Sequence, residues 1–206
     1  MGETPRFQDA VRSLLRDRLL DAAAELTNAC GWARTRMSGI AERAGVSRGT
    51  VYNEFGSKEA LAEAMILREM ETFLAGVRTE LDAHRDDLVE GIVAAAEYAL
   101  TAAASNQVLK EILTGGNGPD GDLLPLLTTQ AEPFLAIANA TLTAYVRQDW
   151  PDLGLDDEEL STALDAVVRL IVSHIVLPVD PPERVARRIG WIAGHVLSAA
   201  SASVKG

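Results

Sequence analysis

The chain has 206 residues, 48% hydrophobic and 24% charged, with a single cysteine and a formal net charge of -11. That composition is the profile of a folded globular protein and excludes a disordered chain or a scaffold held by intrachain disulfides, while no apolar run approaches the ~20 residues of a bilayer span. The acid is unevenly placed: residues 1–60 carry nine Lys+Arg against eight Asp+Glu and the remainder ten against twenty-two, so net +1 faces net -12, and an acidic average does not exclude a DNA-facing end.

The polar stretch Met1 to Asp9 lacks the apolar region of a secretory signal, so the expected compartment is the cytoplasm. From there apolar residues recur at spacings of three and four, and no period-two pattern persists, which predicts an all-α fold of about nine helices. No proline falls between Arg6 and Gly118; Pro5, Pro119, Pro125, Pro151, Pro178, Pro181 and Pro182 stand where they can punctuate, and Pro133 reads as a kink or a first-turn residue.

A first helix is expected over Asp9–Ala29, with Val11, Leu14, Leu15, Leu19, Ala22 and Leu26 on one face and Gly31 as its stop. Thr35 is the expected cap of a short second helix, Arg36–Ala44. Gly45 can take the left-handed turn, and Ser47 can cap a third helix, Arg48–Phe55. After Gly56, Ser57 caps a long fourth helix from about Ala60 to Asp82 that joins this front end to everything behind it. Further helices are expected near Asp86–Ser105, Asn106–Leu113, Leu123–Asp149, Asp157–Leu177 and Pro182–Val204, with the glycine-rich stretch 114–121 as the loosest connection. The expected division is a helix-turn-helix domain, 1–57, followed by a helical ligand-binding and dimerisation domain, 58–206.

Two short helices joined by a tight glycine turn suit DNA, because the second can enter the major groove while the first braces it. Ile40, Ala44, Val46, Val51 and Phe55 form an apolar seam between them. The opposite face then carries Arg48, Gly49, Thr50, Tyr52 and Asn53, rich in donors and short of bulk, as close approach to base edges requires. Lys58 at a helix amino terminus opposes the helix dipole, and a phosphate partner would account for it.

The stretch Leu19 to Leu61, above all Ile40-Ala41-Glu42-Arg43-Ala44-Gly45-Val46-Ser47-Arg48-Gly49-Thr50-Val51-Tyr52-Asn53-Glu54-Phe55-Gly56-Ser57-Lys58-Glu59-Ala60-Leu61, resembles the amino-terminal domain of the TetR family of bacterial regulators. The resemblance implies a nine-helix homodimer closed by its last two helices, a divergent ligand-binding domain and, usually, repression relieved by a small ligand. It also implies DNA contacts from Arg36, Arg48, Thr50, Tyr52 and Asn53, with Thr35, Ser47 and Lys58 near phosphates and Gly49 permitting close approach. Asn53-Glu54 departs from the family, where an aromatic followed by histidine is frequent. A carboxylate there is repelled by phosphate unless it reads a cytosine amino group or faces away.

In the larger half, Leu160, Leu164, Val167, Val168, Ile171, Val172 and Ile175 form a broad apolar face. Ala186, Gly190 and Gly194 make a small-residue stripe beside Trp191. Periodicity alone leaves open whether these complete the monomer core or meet a second chain; with the resemblance, the expected dimer face is Leu164, Val168, Ile171, Val172, Ile175, Ala186, Gly190, Trp191 and Gly194. Tyr98, Phe134, Tyr145 and Trp150 either line an apolar effector pocket or are solid core.

The remaining signals point to no enzyme. Gly115-Gly116-Asn117-Gly118 lacks the ending of a phosphate-binding loop, and His84, His174 and His195 do not fall at metal-ligand spacing, so no metal, cofactor or catalytic residue is expected. His174 is read as a core or solvated imidazole, or as a polar or pH-sensitive element of the interface, and Cys30 as packing. The sequence therefore predicts a repressor that binds a palindromic operator as a dimer and is released by a small apolar ligand. An activator, a ligand-independent regulator, and a carrier or enzyme built on the carboxy-terminal bundle are the rival readings.

Overall fold

A computed structural model describes residues 7–113 and 131–203. Within them the chain forms nine helices and no strand: α1 (Phe7–Cys30), α2 (Met37–Ala44), α3 (Arg48–Phe55), α4 (Lys58–Ala83), α5 (Leu88–Ser105), α6 (Gln107–Leu113), α7 (Ala131–Asp149), α8 (Asp157–Val176) and α9 (Pro182–Ser203). The expected glycine-rich stretch 114–121 and the start of the helix from Leu123 lie outside the described residues. Pro133 is the third residue of α7, in its first turn, where a missing N–H costs no helical bond.

Local chemistry sets most boundaries. Gly31, Gly45 and Gly56 all take positive φ at the ends of α1, α2 and α3. Asp87 accepts from the Val89 and Glu90 amides to start α5, and Asp156 with Glu159 forms a reciprocal capping box at the head of α8. Two expectations fail at this level. Arg36, not Thr35, is the N-cap residue of α2, and no side chain caps that helix. On α1, Val11 and Leu14 are 47% and 70% exposed, because the first turns run beyond the core that buries Leu19, Ala22 and Ala23.

One continuous core runs from Leu19 in α1 to Ile189 in α9. The 26 residues of α4 make a rod roughly 39 Å long that reaches from the front end into the body. Alone among the described residues, α5 is long and apolar enough to cross a membrane, at 18 residues and a mean hydropathy of 1.3. It packs between α4 and α9, and those two interfaces account for its apolarity.

Candidate nucleic-acid interface and ligand cavity

The second and third helices lock through the expected seam. Ile40, Ala44, Val51 and Phe55 are buried, with Val46 packed against them. Gly45 sits at φ 69° and ψ 34°, and its amide donates back to the last turn of α2. Ser47 then accepts from the Thr50 amide at 3.1 Å and lies 2.9 Å from the Thr50 hydroxyl. The face opposite the seam is open: Arg48, Gly49, Tyr52 and Asn53 are exposed and Thr50 is half-buried. Arg48 lies over the Tyr52 ring, 5.2 Å from its centroid, which pre-orders both side chains. A Cβ built on Gly49 would meet only Ser47 Oγ, at 3.6 Å. Nothing inside the chain demands a glycine there, so the missing side chain leaves room for something outside it.

Of the three residues expected near phosphates, Thr35 and Lys58 are engaged within the chain. Arg36 is exposed at the head of α2, as expected of a surface contact. Thr35 is 2% exposed, and its hydroxyl donates to the Gly31 carbonyl at 3.0 Å, so it faces the core beside Thr27 and is not a surface contact. Lys58 turns back: its Nζ donates to the Trp32 carbonyl at 2.8 Å and sits 4.5 Å from the Trp32 ring centroid. The π face and the carbonyl explain a lysine at a helix amino terminus without a phosphate.

Glu54 also turns inward. Its side chain is 9% exposed and accepts from Arg12 Nε at 3.0 Å and Arg16 Nη1 at 3.2 Å, both on α1. Arg16 in turn lies 4.6 Å from the centroid of the Phe55 ring. The carboxylate therefore faces away from the open side of α3, and its charge is met twice. Arg12 and Arg16 escaped the sequence reading; their i, i+4 spacing on α1 was the available signal, with nothing to say what they would meet.

The body holds an apolar cavity of about 170 Å³ that is partly open to the surface, where its lining residues Ile192 and Val196 are exposed. Phe73 and Val77 of α4, Ile92 of α5, Val146 of α7, Ile171 of α8 and Ile192 of α9 are among its walls, and among the described residues the lining side chains are aliphatic, thioether or phenyl. Three of the expected aromatics, Tyr98, Tyr145 and Trp150, lie elsewhere. Tyr98 stacks on Phe73 at 6.0 Å and fills the space over Gly76, where a Cβ would come 2.1 Å from the phenolic oxygen. Tyr145 donates to Asp82 at 2.6 Å and Trp150 Nε1 to the Arg85 carbonyl at 2.9 Å, tying the end of α7 to the turn between α4 and α5. Burial and the Asp82 bond push the Tyr145 phenol up to about 12. The same bond, with Arg85 beside it, holds the Asp82 carboxyl below its ordinary range. The Phe134 side chain lies outside the described residues. On α7, Asn139 Oδ1, Thr143 Oγ1 and Arg147 Nε are buried with no hydrogen-bond partner among the described residues, on turns shared with the cavity residues Leu142 and Val146.

The expected dimer face divides. Leu164, Val168, Ile171, Val172 and Ile175 line the cavity. Ala186 is fully buried, a Cβ on Gly190 would lie 2.2 Å from Val93 Cγ2, and one on Gly194 would touch Val89 at 3.6 Å. The small-residue stripe thus admits α5 of the same chain, so the close approach it permits is intramolecular. What remains outward is Trp191, 67% exposed with its ring centroid 4.2 Å from that of His195, and Ile192, Val196, Val176, Leu177 and Val179 are also exposed. His174 is half-buried, its Nδ1 2.8 Å from the Leu170 carbonyl.

Residues 19–65 match the model of bacterial regulatory proteins of the tetR family, and residues 87–195 match that of the bacterial tetracyclin repressor carboxy-terminal domain. The chain is 32% identical over 180 residues to the HTH-type transcriptional regulator AlkX of Mycobacterium tuberculosis, covering 87% of this chain and 83% of that protein. It is 29% identical to the HTH-type transcriptional regulator UidR of Escherichia coli, over 87% and 88% of the two chains. Among solved structures, the TetR family repressor AlkX of Dietzia sp., implicated in biodegradation of n-alkanes, superposes with a TM-score of 0.66 at 26% identity, over 89% and 97% of the chains.

Proposed function

The chain belongs to the TetR family of bacterial transcriptional regulators, and from that premise we propose a cytoplasmic repressor that holds a palindromic operator as a homodimer and releases it when a small, largely aliphatic molecule fills the cavity. Membership makes it a helix-turn-helix regulator, and α3 is its reading helix. In this reading residues 1–57 read DNA and 58–206 receive the effector and the second copy. Arg36, Arg48, Thr50, Tyr52 and Asn53 contact the operator, Ser47 caps the reading helix near a phosphate, and Gly49 lets the backbone close in.

The observation that carries effector release is the cavity, whose described lining residues are all apolar and so favour a hydrocarbon-rich occupant. The Dietzia relative, a repressor implicated in n-alkane biodegradation, supports both the sign and the ligand class. The apolar set around Trp191, beside helices α8 and α9, supports a two-fold dimer that presents two reading helices to two half-sites. An effector that favours a dimer with wrongly spaced reading helices draws the population away from DNA.

The test is a titration. Duplexes enriched from a random pool by the wild-type protein supply the operator, and fluorescence anisotropy follows release by straight-chain alkanes, alcohols and acids of graded length. At least one chain length is expected to raise both the thermal midpoint and the operator Kd by tenfold or more. A compound that raises the midpoint and leaves the Kd unchanged would refute release, and reporter output that falls when the protein is removed would refute repression.

A further inference from the structure

We infer that Arg12 of α1 is a DNA backbone contact, aimed by Glu54 and braced by Arg16, on the flank of the reading helix opposite Arg48 and Tyr52. This rests on the reading of α3 as the DNA-facing helix.

Residues four apart share a flank of an α-helix. On α3, Arg48 and Tyr52 share one flank, Thr50 and Glu54 the other, and the buried Val51 and Phe55 lie between them on the core side. A helix seated in the major groove runs between two phosphate strands, so both flanks approach negative charge. One flank carries its own arginine. The other ends in a carboxylate, which alone would be repelled, and the structure answers that charge with two arginines borrowed from α1. The trio is net +1.

The two arginines are not equivalent. Arg16 is 43% exposed, gives Nη1 to Glu54 and lies on the Phe55 ring, an anchored position. Arg12 is 69% exposed and gives Nε to Glu54. A guanidinium has five N–H donors in a fixed fork, so a bond through Nε fixes the plane while the terminal nitrogens point onward. Glu54 is therefore a positioning residue, and Arg12 carries the contact. This returns to the far flank the positive charge that Glu54 takes away.

The bland alternative is that both arginines only neutralise a nearly buried carboxylate. Arg12→Gln paired with Glu54→Gln separates the two, because the pair removes the carboxylate's need for a partner together with the proposed contact. Binding of the full-length protein to an enriched duplex and to a random duplex is measured between 50 and 200 mM salt. The double variant is expected to keep the wild-type thermal midpoint while the slope of log K against log salt falls by about 0.9 for each Arg12 in the bound species. Glu54→Ala, which takes away the acceptor that aims Arg12, is expected to weaken binding to both duplexes, and Glu54→Gln, which still offers Arg12 an acceptor, is expected to restore most of it. A double variant with the wild-type slope overturns the contact, and a steeper slope in Glu54→Gln overturns the inward placement of the carboxylate. If the wild-type protein itself binds neither duplex, the assignment of α3 as reader fails first and takes this contact with it.

Discussion

The reading head and the carboxy-terminal body use helix packing for opposite ends. In the head, a turn of three residues joins two eight-residue helices whose apolar seam is closed by Ile40, Ala44 and Val51, all nearly inaccessible. In the body, the 20-residue α8 buries only Leu160 and Ile175 fully, and much of its remaining apolar side borders a void. The head holds one geometry because it has filled its own core. The body leaves part of its core unfilled, and that volume would give the proposed apolar ligand its driving force.

The contrast breaks most visibly at the reading face. Arg48→Ala combined with Tyr52→Ala removes two exposed groups and no core contact, so operator affinity is expected to fall by roughly 10²- to 10⁴-fold at one to three kcal/mol for each. Sedimentation and circular dichroism should show the same oligomer and helix content. Operator affinity within a few-fold of wild type would move the reading surface off α3.

In the body the informative change is at the outward tryptophan. Trp191→Ala should weaken association of the two chains by on the order of 30-fold or more, the scale of a buried aromatic anchor. Dilution-dependent anisotropy or sedimentation reads it, and a dimer of unchanged strength would place the contact surface elsewhere.

Gly190→Ala tests the neighbouring stripe with the opposite expectation. Its new methyl would press on Val93 within the chain, so the thermal midpoint should fall by a few degrees, about 1–3 kcal/mol of overpacking, with the dimer constant little changed. Weakened association without a lower midpoint would return Gly190 to the interface between chains.

The smallest effect expected is at Tyr145, which closes the end of the body on Asp82. Because the folded phenol is raised to about 12, above its ordinary 10, the folded protein keeps a proton that the unfolded chain has lost across that window. The contribution is thus present below pH 10 and lost as pH rises towards 12. Tyr145→Phe should flatten that part of the stability profile measured by denaturant melts, and an unchanged alkaline limb would deny the hydrogen bond to Asp82.

Helix positions were largely legible before any packing was known. Gly31, Gly45 and Gly56 as stops, Ser47 and Ser57 as caps, and the apolar period of three and four are instructions carried by residues within one turn of each other. Fold class and the helix-turn-helix follow from them, and so does family membership through the stretch from Leu19 to Leu61. Thr35 shows the limit even there, since its hydroxyl has two local uses and the Gly31 carbonyl takes it.

What only the tertiary structure decided is which partner each face meets. Glu54 could point at DNA or away from it until α1 supplied two guanidinium groups, and Lys58 could serve a phosphate until Trp32 offered a ring and a carbonyl. The stripe of Ala186, Gly190 and Gly194 announces a close helix neighbour without saying whose, and α5 of the same chain takes the place. Aromatics drew attention as pocket residues because of their size, yet the cavity formed where apolar faces of six helices meet incompletely. Periodicity along a chain marks a face as apolar, and the filling of the space in front of that face depends on residues far away in sequence.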